Sequence, residues 1–185
     1  NAATAFGIAQ SIVTRLTKLK NVKVTAWVTS QRFQGNISSP EDLRAAASSL
    51  GVERLIIGTI RTVGDRVHVD AGLIDSTATQ QLWAEQLDAN VAEIFALQSK
   101  IALGCAAILK GGLTGEEETL VAKPPSERAD AYEFYIKGSM KMQLGTQEDD
   151  NMALALFDRS VVLDPGLADA FVGRGAVFGN RFFYG

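Results

Sequence analysis

The alternation of apolar and polar residues predicts a long antiparallel hairpin near the middle of the chain. Residues 54–63 and 66–75 are rich in β-branched side chains, and they flank Gly64-Asp65, a dipeptide that favours two-residue hairpin turns. Pairing Val63 with Arg66 fixes the register of the two strands. The pattern therefore predicts both the strands and the cross-strand partner of each residue in them.

This register gives the hairpin one apolar and one polar face. The pairs on the apolar face are Thr62 with Val67, Ile60 with Val69, Gly58 with Ala71 and Ile56 with Leu73. The pairs on the polar face are Arg61 with His68 and Thr59 with Asp70. A shift of one residue would exchange the two faces, so the pattern supports this register.

Periodicity elsewhere in the first 112 residues predicts three helices and two further strands. The helices span 5–19, 40–50 and 91–110, and the strands span 22–28 and 81–87. Ser39-Pro40 has the residue types of a helix N-cap and first turn, and Gly51 ends the same helix. This order predicts an α/β (α+β) domain in which helices cover one side of a mixed sheet.

The remaining residues are predicted to form a linker and a helical unit. Residues 113–126 combine Gly, Glu and Pro, which is typical of a linker. Helical patterns follow over 127–143, 147–163 and from 167 onward. Residues 1–112 have eleven basic and nine acidic side chains, whereas residues 113–185 have seven and twelve. The predicted division is a domain over 1–112 that folds alone, a linker over 113–126 and helices over 127–185.

The last third of the chain has the spacing of a helical repeat. Ala153, Phe157 and Pro165 stand at the small, aromatic and proline positions of a tetratricopeptide (TPR) repeat, which this segment resembles. The pattern restarts in the next helix at Phe171, Gly175 and Phe178, with Arg174 in place of an apolar residue. The resemblance implies TPR-type helices with a concave binding surface and further repeats beyond these.

Several stretches of the first domain carry a second resemblance. They are Phe33–Gly35, Leu50–Arg61, Gly64–Val67, Leu73–Asp75, Leu82-Trp83 and Phe95–Gln98, with Ala131–Gly138 downstream. In order and spacing they resemble the TolB-like amino-terminal domain that precedes such repeats in many bacterial regulators. That family usually has a strand ending in Leu-Pro-Phe before the first helix, and this strand is absent here. The resemblance implies an attached nucleotide cyclase, Ser/Thr kinase or winged-helix DNA-binding domain.

The candidate reactive side chains are isolated from one another. Cys105, the single cysteine, lies on an apolar helical stripe with Ile108, which predicts a buried and inert thiol. His68, the single histidine, lies on the polar hairpin face and is predicted to be solvated rather than a metal ligand. The acidic run Glu116–Glu118 is predicted to be solvated as well. We therefore expect no catalytic residue, no metal site and no cofactor, and we expect that the protein is not an enzyme.

Composition narrows the class of partner. The net charge of −3 gives no general argument for binding nucleic acid, and direct nucleic-acid contact is not expected. The candidate basic patch comprises Arg15, Lys18, Lys20, Arg61 and Arg66. Aromatic residues are not interleaved with it, which disfavours that function. The apolar runs are shorter than a membrane span, so membrane contact is not expected either.

The favoured hypothesis is a regulatory, scaffolding segment that binds a protein or peptide partner. Its specificity would be set by polar side chains of the helical unit, namely Lys137, Lys141, Asp158 and Arg159. Apolar side chains of the last helix are expected to be exposed, or covered by another copy in a homodimer: Phe171, Val172, Phe178, Phe182 and Phe183. The alternative is a small-molecule sensor that controls an attached output enzyme or DNA-binding domain. The chain begins with Asn1 rather than Met, which indicates a fragment of a longer protein.

Overall fold

A computed structural model of the chain describes residues 2–77 and 79–184, apart from the side chains of Val91 and residues 181–184. The helices in this part are α1 (Ala2–Leu16), α2 (Trp27–Ser30), α3 (Pro40–Leu50), α4 (Ile94–Lys110), α5 (Gly115–Ala122), α6 (Ala129–Met142), α7 (Gln147–Leu163) and α8 (Ala168–Tyr184). The strands are β1 (Arg54–Val63), β2 (Arg66–Asp75) and β3 (Gln80–Asn90). The chain is an α+β mix, as predicted.

These elements pack as two compact units. The first unit comprises Ile8–Lys123, and the second comprises Ala2–Gly7 together with the residues from Pro124 onward. The division of the chain between Lys123 and Pro124 lies beyond Gly112, the predicted end of the first domain. The first unit contains the sheet, and the second consists of helices.

β1 and β2 form the predicted hairpin in the predicted register. Val63 pairs with Arg66, and Ile60 pairs with Val69. β3 pairs antiparallel with β2, so the sheet has the order β1-β2-β3 and is antiparallel throughout. The prediction of a mixed sheet is therefore wrong. β1 is an edge strand, and Ile56 on its apolar face remains 36% exposed.

The error in the sheet arises from residues 22–28, which the pattern predicts to be a strand. Residues 22–26 have no regular secondary structure, and α2 begins at Trp27. Val22 and Val24 nevertheless pack against the core of the first unit. Their alternation reflects the burial of two side chains, and burial alone does not provide a neighbouring strand for backbone pairing.

Helices cover both faces of the sheet rather than one. Leu73 of β2 packs with Ile101 of α4 in the larger core cluster. Leu55 of β1 packs instead with Ala46 of α3 in a separate cluster. Leu55 pairs with Ile74, and successive strand residues point to opposite faces, so the two clusters lie on opposite sides of the sheet.

α4 packs on the sheet at a glycine. A Cβ atom on Gly104 would lie 2.6 Å from Cε2 of Trp83, so the indole occupies space that only glycine leaves open. Ile101 and Cys105 of the same helix are fully buried. Ile108, which the periodicity places on that stripe, is 40% exposed near the end of the helix.

α3 begins and ends at the predicted residues. Ser39 Oγ accepts a hydrogen bond from the Asp42 amide at 3.1 Å, and the Asp42 carboxylate accepts one from the Ser39 amide at 2.9 Å. Pro40 is the first helical residue, and Gly51 ends the helix with a φ of 66°. The left-handed conformation at that position favours glycine.

The predicted linker contains a helix. At the start of α5, Thr114 Oγ1 accepts a hydrogen bond from the Glu117 amide at 3.3 Å, and the Glu117 carboxylate accepts one from the Thr114 amide at 3.1 Å. Val121 is fully buried in the core of the first unit. Residues 115–122 are therefore a packed helix of the first unit rather than an irregular connection.

Candidate interaction surface

The second unit is packed around one aromatic side chain, the fully buried Phe157 of α7. A Cβ atom on Gly138 of α6 would lie 2.8 Å from Cε1 of this ring, and one on Gly173 of α8 would lie 2.6 Å from Cζ. Carbon atoms in contact normally lie about 3.5–4 Å apart. The ring therefore occupies space that glycine leaves open on both neighbouring helices.

Buried hydrogen bonds tie the helices of this unit together. Ser160 Oγ donates to the carbonyl oxygen of Ala131 at 2.8 Å, which joins α7 to α6. The Tyr132 hydroxyl donates to the carbonyl oxygen of Gly7 at 3.0 Å, which joins α6 to the first turns of α1. A buried polar group that loses its partner pays its desolvation cost, so these bonds fix the arrangement of the segments they join.

Three of the four predicted partner-binding side chains are exposed, namely Lys137, Asp158 and Arg159. Lys137 of α6 is about half exposed, with Nζ 2.6 Å from Oε1 of Glu133 one turn earlier. Arg159 of α7 is exposed. Ion pairs between exposed side chains contribute little to stability, so Lys137 can change partner at little cost to the fold.

Lys141 and Asp158 take part in contacts between helices, and Asp158 does so while half exposed. Lys141 Nζ lies 3.1 Å from Oδ1 of Asp149, which is largely buried at the start of α7. Hydrogen bonds from the Thr146 hydroxyl and from Lys141 hold the pKa of Asp149 below its usual range. Asp158 Oδ1 lies 2.7 Å from Nε of Arg174, which pairs α7 with α8.

α8 is apolar on two opposite faces. On the inner face, Ala170 and Val177 are fully buried. The outer face exposes three large apolar side chains, as predicted: Phe171 (44%), Val172 (70%) and Phe178 (52%). The same prediction for Phe182 and Phe183 falls outside the described side chains.

Cys105, His68 and Glu117 of the first unit are each either buried or paired with another side chain. Cys105 is fully buried, and burial raises the pKa of its thiol to about 12, which keeps it protonated and unreactive. His68 Nδ1 contacts the carboxylate of Asp88 on the neighbouring strand, and both side chains are substantially exposed. In the acidic run, Glu117 lies 3.0 Å from Lys110 Nζ and also caps α5.

Arg15 belongs to the candidate basic patch that the sequence analysis disfavours, and it is only 2% exposed. Its Nη1 donates to the carbonyl oxygens of Val121 at 2.9 Å and Ala122 at 3.1 Å, and to Ser99 Oγ at 2.7 Å. The guanidinium thus meets carbonyl groups at the C-terminal end of α5, where a cation is favourable. The candidate patch therefore loses this member.

A groove of about 690 Å³ lies between α4 and α5 of the first unit. Leu103, Ala107 and Leu113 form much of its lining, with Glu118 and Thr119 at the edge of α5. It is open to solvent and mainly apolar. Small-molecule sites usually enclose most of their ligand and add convergent polar groups, so this groove gives the sensor hypothesis little support.

Residues 2–77 and 79–184 contain neither a cluster of metal-binding side chains nor a membrane-spanning helix. In that part of the chain, no three His, Cys, Asp or Glu side chains are arranged to hold a metal ion. Over the same residues, the helices are too short or too polar to cross a membrane.

No family model matches the chain. A curated relative, "Putative adenylate cyclase 3" of Rhizobium meliloti (strain 1021), is 28% identical to it over 166 residues. The aligned region covers 90% of this chain and 28% of the relative, so the chain spans little more than a quarter of that protein. The relative is named for an enzyme, which contradicts the expectation that this protein is not an enzyme.

Proposed function

We propose that these residues form a regulatory segment of a larger bacterial protein of the nucleotide-cyclase type, and that the segment binds a protein or peptide partner through its helical unit. The extent of the match carries this proposal. It runs through 90% of this chain but occupies only 28% of a relative named as a cyclase. Most of a protein of that size lies in further domains that such a segment can influence.

The two resemblances support the same proposal. As part of it, the first unit is a TolB-like domain and the last third is a TPR-type unit. Ala153, Phe157 and Pro165 have the repeat spacing, and repeat arrays bind partners on extended helical surfaces. In bacterial regulators, these two kinds of domain are attached to output domains that include nucleotide cyclases.

The contacts of the polar side chains divide the four candidate residues by role. Lys137 and Arg159 are exposed, so we assign them to the partner-binding surface. Lys141 and Asp158 pair with residues of neighbouring helices, so we assign them to the arrangement of that surface. Reversing the charge of Lys141 would place a like charge beside Asp149 and perturb the fold as well as binding.

The test is to identify a partner, to measure its affinity for the chain, and to show that a defined change of the surface weakens the binding. The chain is used to capture proteins from its source bacterium, and the affinity for each purified candidate is then measured by calorimetry. Reversing both exposed charges, with Lys137→Glu and Arg159→Glu, is expected to weaken the specific partner about tenfold or more. Circular dichroism should show an unchanged fold, because both side chains are exposed.

The matched control is the double variant Lys23→Glu with Arg66→Glu, two exposed cations of the first unit that together undergo the same change of charge. It should leave the affinity unchanged. Equal weakening by the control would assign the effect to net charge alone and reject the binding surface. If the chain retained a small metabolite and bound no protein, the small-molecule sensor would replace this proposal. Formation of cyclic nucleotide from ATP by these 185 residues would also overturn it.

A further inference from the structure

The helix α1 belongs to both units. It is a single α-helix from Ala2 to Leu16. Its first turns, Ala2–Gly7, are part of the second unit, whereas residues 8–16 are part of the first. The same helix therefore supplies residues to two compact units, and each part of it has its own set of contacts.

The first turns of α1 pack on α6. A Cβ atom on Gly7 would lie 3.1 Å from Cγ1 of Ile136, so the two helices approach closely at this glycine. Ile136 is buried, and so is Phe6 in the same turn as Gly7. The Tyr132 hydroxyl donates to the carbonyl oxygen of Gly7 at 3.0 Å. The start of α1 is therefore fixed to α6 by packing and by a buried hydrogen bond.

The remainder of α1 packs in the first unit. Ile8, Ile12 and Leu16 lie in the core of this unit and form one stripe at helical spacing. Arg15 donates to the carbonyl oxygens at the end of α5 and to the hydroxyl of Ser99 on α4. The position of this part of α1 therefore determines whether α5 keeps the guanidinium as a donor.

The backbone of α1 connects the two sets of contacts. In an α-helix each amide donates to the carbonyl four residues earlier, so the amides of residues 8–11 donate to the carbonyls of residues 4–7. These hydrogen bonds cross the division between the units. If residues 2–7 left α6 and unwound, the amides of residues 8–11 would lose these partners. Ile8 and Ser11 are buried, so the loss would carry a desolvation cost.

We infer that α1 transmits a change in the second unit to the first. When α6 holds residues 2–7, the helix is complete and Arg15 is kept against the end of α5. When α6 releases these residues, α1 loosens in the core of the first unit and the contact of Arg15 with α5 weakens. This coupling goes beyond the proposed function and does not depend on it, because it requires no other protein.

The test is native-state hydrogen exchange of the full chain with Tyr132→Phe, which removes the hydroxyl that donates to Gly7. Exchange should become about fivefold faster in residues 8–12 of α1, with a smaller increase at the end of α5. Gly7→Leu should accelerate the same amides, because its side chain would displace Ile136. Leucine favours a helix more than glycine does, so this acceleration would not reflect a weaker helix.

The matched control is Ser160→Ala, which also removes one buried hydroxyl hydrogen bond of the second unit, but one that joins α7 to α6. It should accelerate exchange in those two helices and affect residues 8–12 less than Tyr132→Phe does, because release of a helix start requires less opening than separation of two helices. Equal acceleration of residues 8–12 by the control would overturn the inference. Unchanged exchange of residues 8–12 in both Tyr132→Phe and Gly7→Leu would overturn it as well, even if the end of α5 were accelerated, since that effect would be assigned to the connection after Lys123.

Discussion

Both units close around an aromatic ring that lies on glycine, but the residues around the two rings are brought together differently along the chain. In the second unit, Phe157 lies against Gly138 and Gly173 of the two adjoining helices. In the first unit, Trp83 lies against Gly104, and the same core extends from Ile8 to Val121. The contacts of Phe157 thus come from the adjoining helices, whereas the first core joins residues that are distant in sequence. The second unit also includes Ala2–Gly7, where the carbonyl oxygen of Gly7 accepts a hydrogen bond from the Tyr132 hydroxyl.

The two units also differ in how they use charged side chains. The first buries Arg15, which holds the carbonyl groups at the end of α5. The second places its charged pairs nearer the surface, such as Asp158 with Arg174. Because the guanidinium is buried, its replacement alone is expected to lower the stability of the first unit. Exposed ion pairs contribute little to stability. These differences in core packing and in charged contacts predict which substitutions distinguish the stability of one unit from that of the other.

The largest effect is expected from Phe157→Ala, which removes the centre of the second unit. Loss of a buried phenylalanine costs about 3–5 kcal/mol. Hydrogen exchange should accelerate most in α6–α8, measured at low protein concentration. The control is Phe171→Ala, the same change at a side chain that is 44% exposed, which should cost less than about 1 kcal/mol. Similar losses in the two variants would contradict the assignment of the core.

The next largest effect is expected from Arg15→Met in the first unit. The substitution keeps an apolar side chain but removes the donor to the carbonyl of Val121, whereas the carbonyl of Ala122 keeps the Ser99 hydroxyl at 2.9 Å. An unsatisfied buried group costs about 1–3 kcal/mol, so we expect a loss of about 1–3 kcal/mol in urea denaturation. Arg66→Met, at an exposed position of the hairpin, should change stability by less than about 0.5 kcal/mol. A harmless Arg15→Met would show that the guanidinium is not needed to hold α5.

Replacing by alanine the glycines that face an aromatic ring tests the aromatic contacts in both units. Gly173→Ala and Gly104→Ala should each cost about 1–3 kcal/mol, because the new Cβ would overlap the ring of Phe157 or Trp83. Gly175→Ala is the control, since its Cβ meets open space and alanine favours a helix by up to about 1 kcal/mol. Thermal melting should therefore show two losses and one gain. A gain in all three variants would rule out tight packing at the rings.

The smallest effect is expected in the pH dependence of the stability of the first unit, to which Cys105 contributes. Its thiol has a pKa of about 12 in the folded chain, against 9.0 for an unperturbed thiol. Above about pH 9 the unfolded chain releases this proton and the folded chain keeps it, so stability falls as the pH rises. Cys105→Ala should lose less stability than the wild-type chain between pH 8 and about pH 10. Identical slopes would contradict the burial of the thiol, as would rapid alkylation at pH 8.

The sequence was sufficient for elements whose pattern is local. The hairpin register follows from alternation and the Gly64-Asp65 turn, and α3 follows from its capping residues. The helices of the second unit follow from periodicity in the same way. Each of these elements is specified by residues that are close together along the chain.

The parts that were missed depend on contacts across the chain. Residues 22–28 alternate as a strand does, but whether a neighbouring strand is present is not encoded in that segment. Arg15 lies three residues after Ile12 and one before Leu16, so its position beside the apolar stripe was a signal of burial. The partner of that side chain, the end of α5, lies more than a hundred residues away. α5 was not predicted from the sequence because its glutamates are also typical of linkers.

α5 belongs to the first unit, and the division of the chain follows Lys123. Native-state hydrogen exchange of the wild-type chain tests this assignment. We expect the amides at the end of α5, from Thr119 to Ala122, to be protected together with those of α4 and to lose protection at the same denaturant concentration. Exchange of these amides at the rate of residues 22–26, which lack regular structure, would show that 113–126 is a linker and would contradict the assignment of α5 to the first unit.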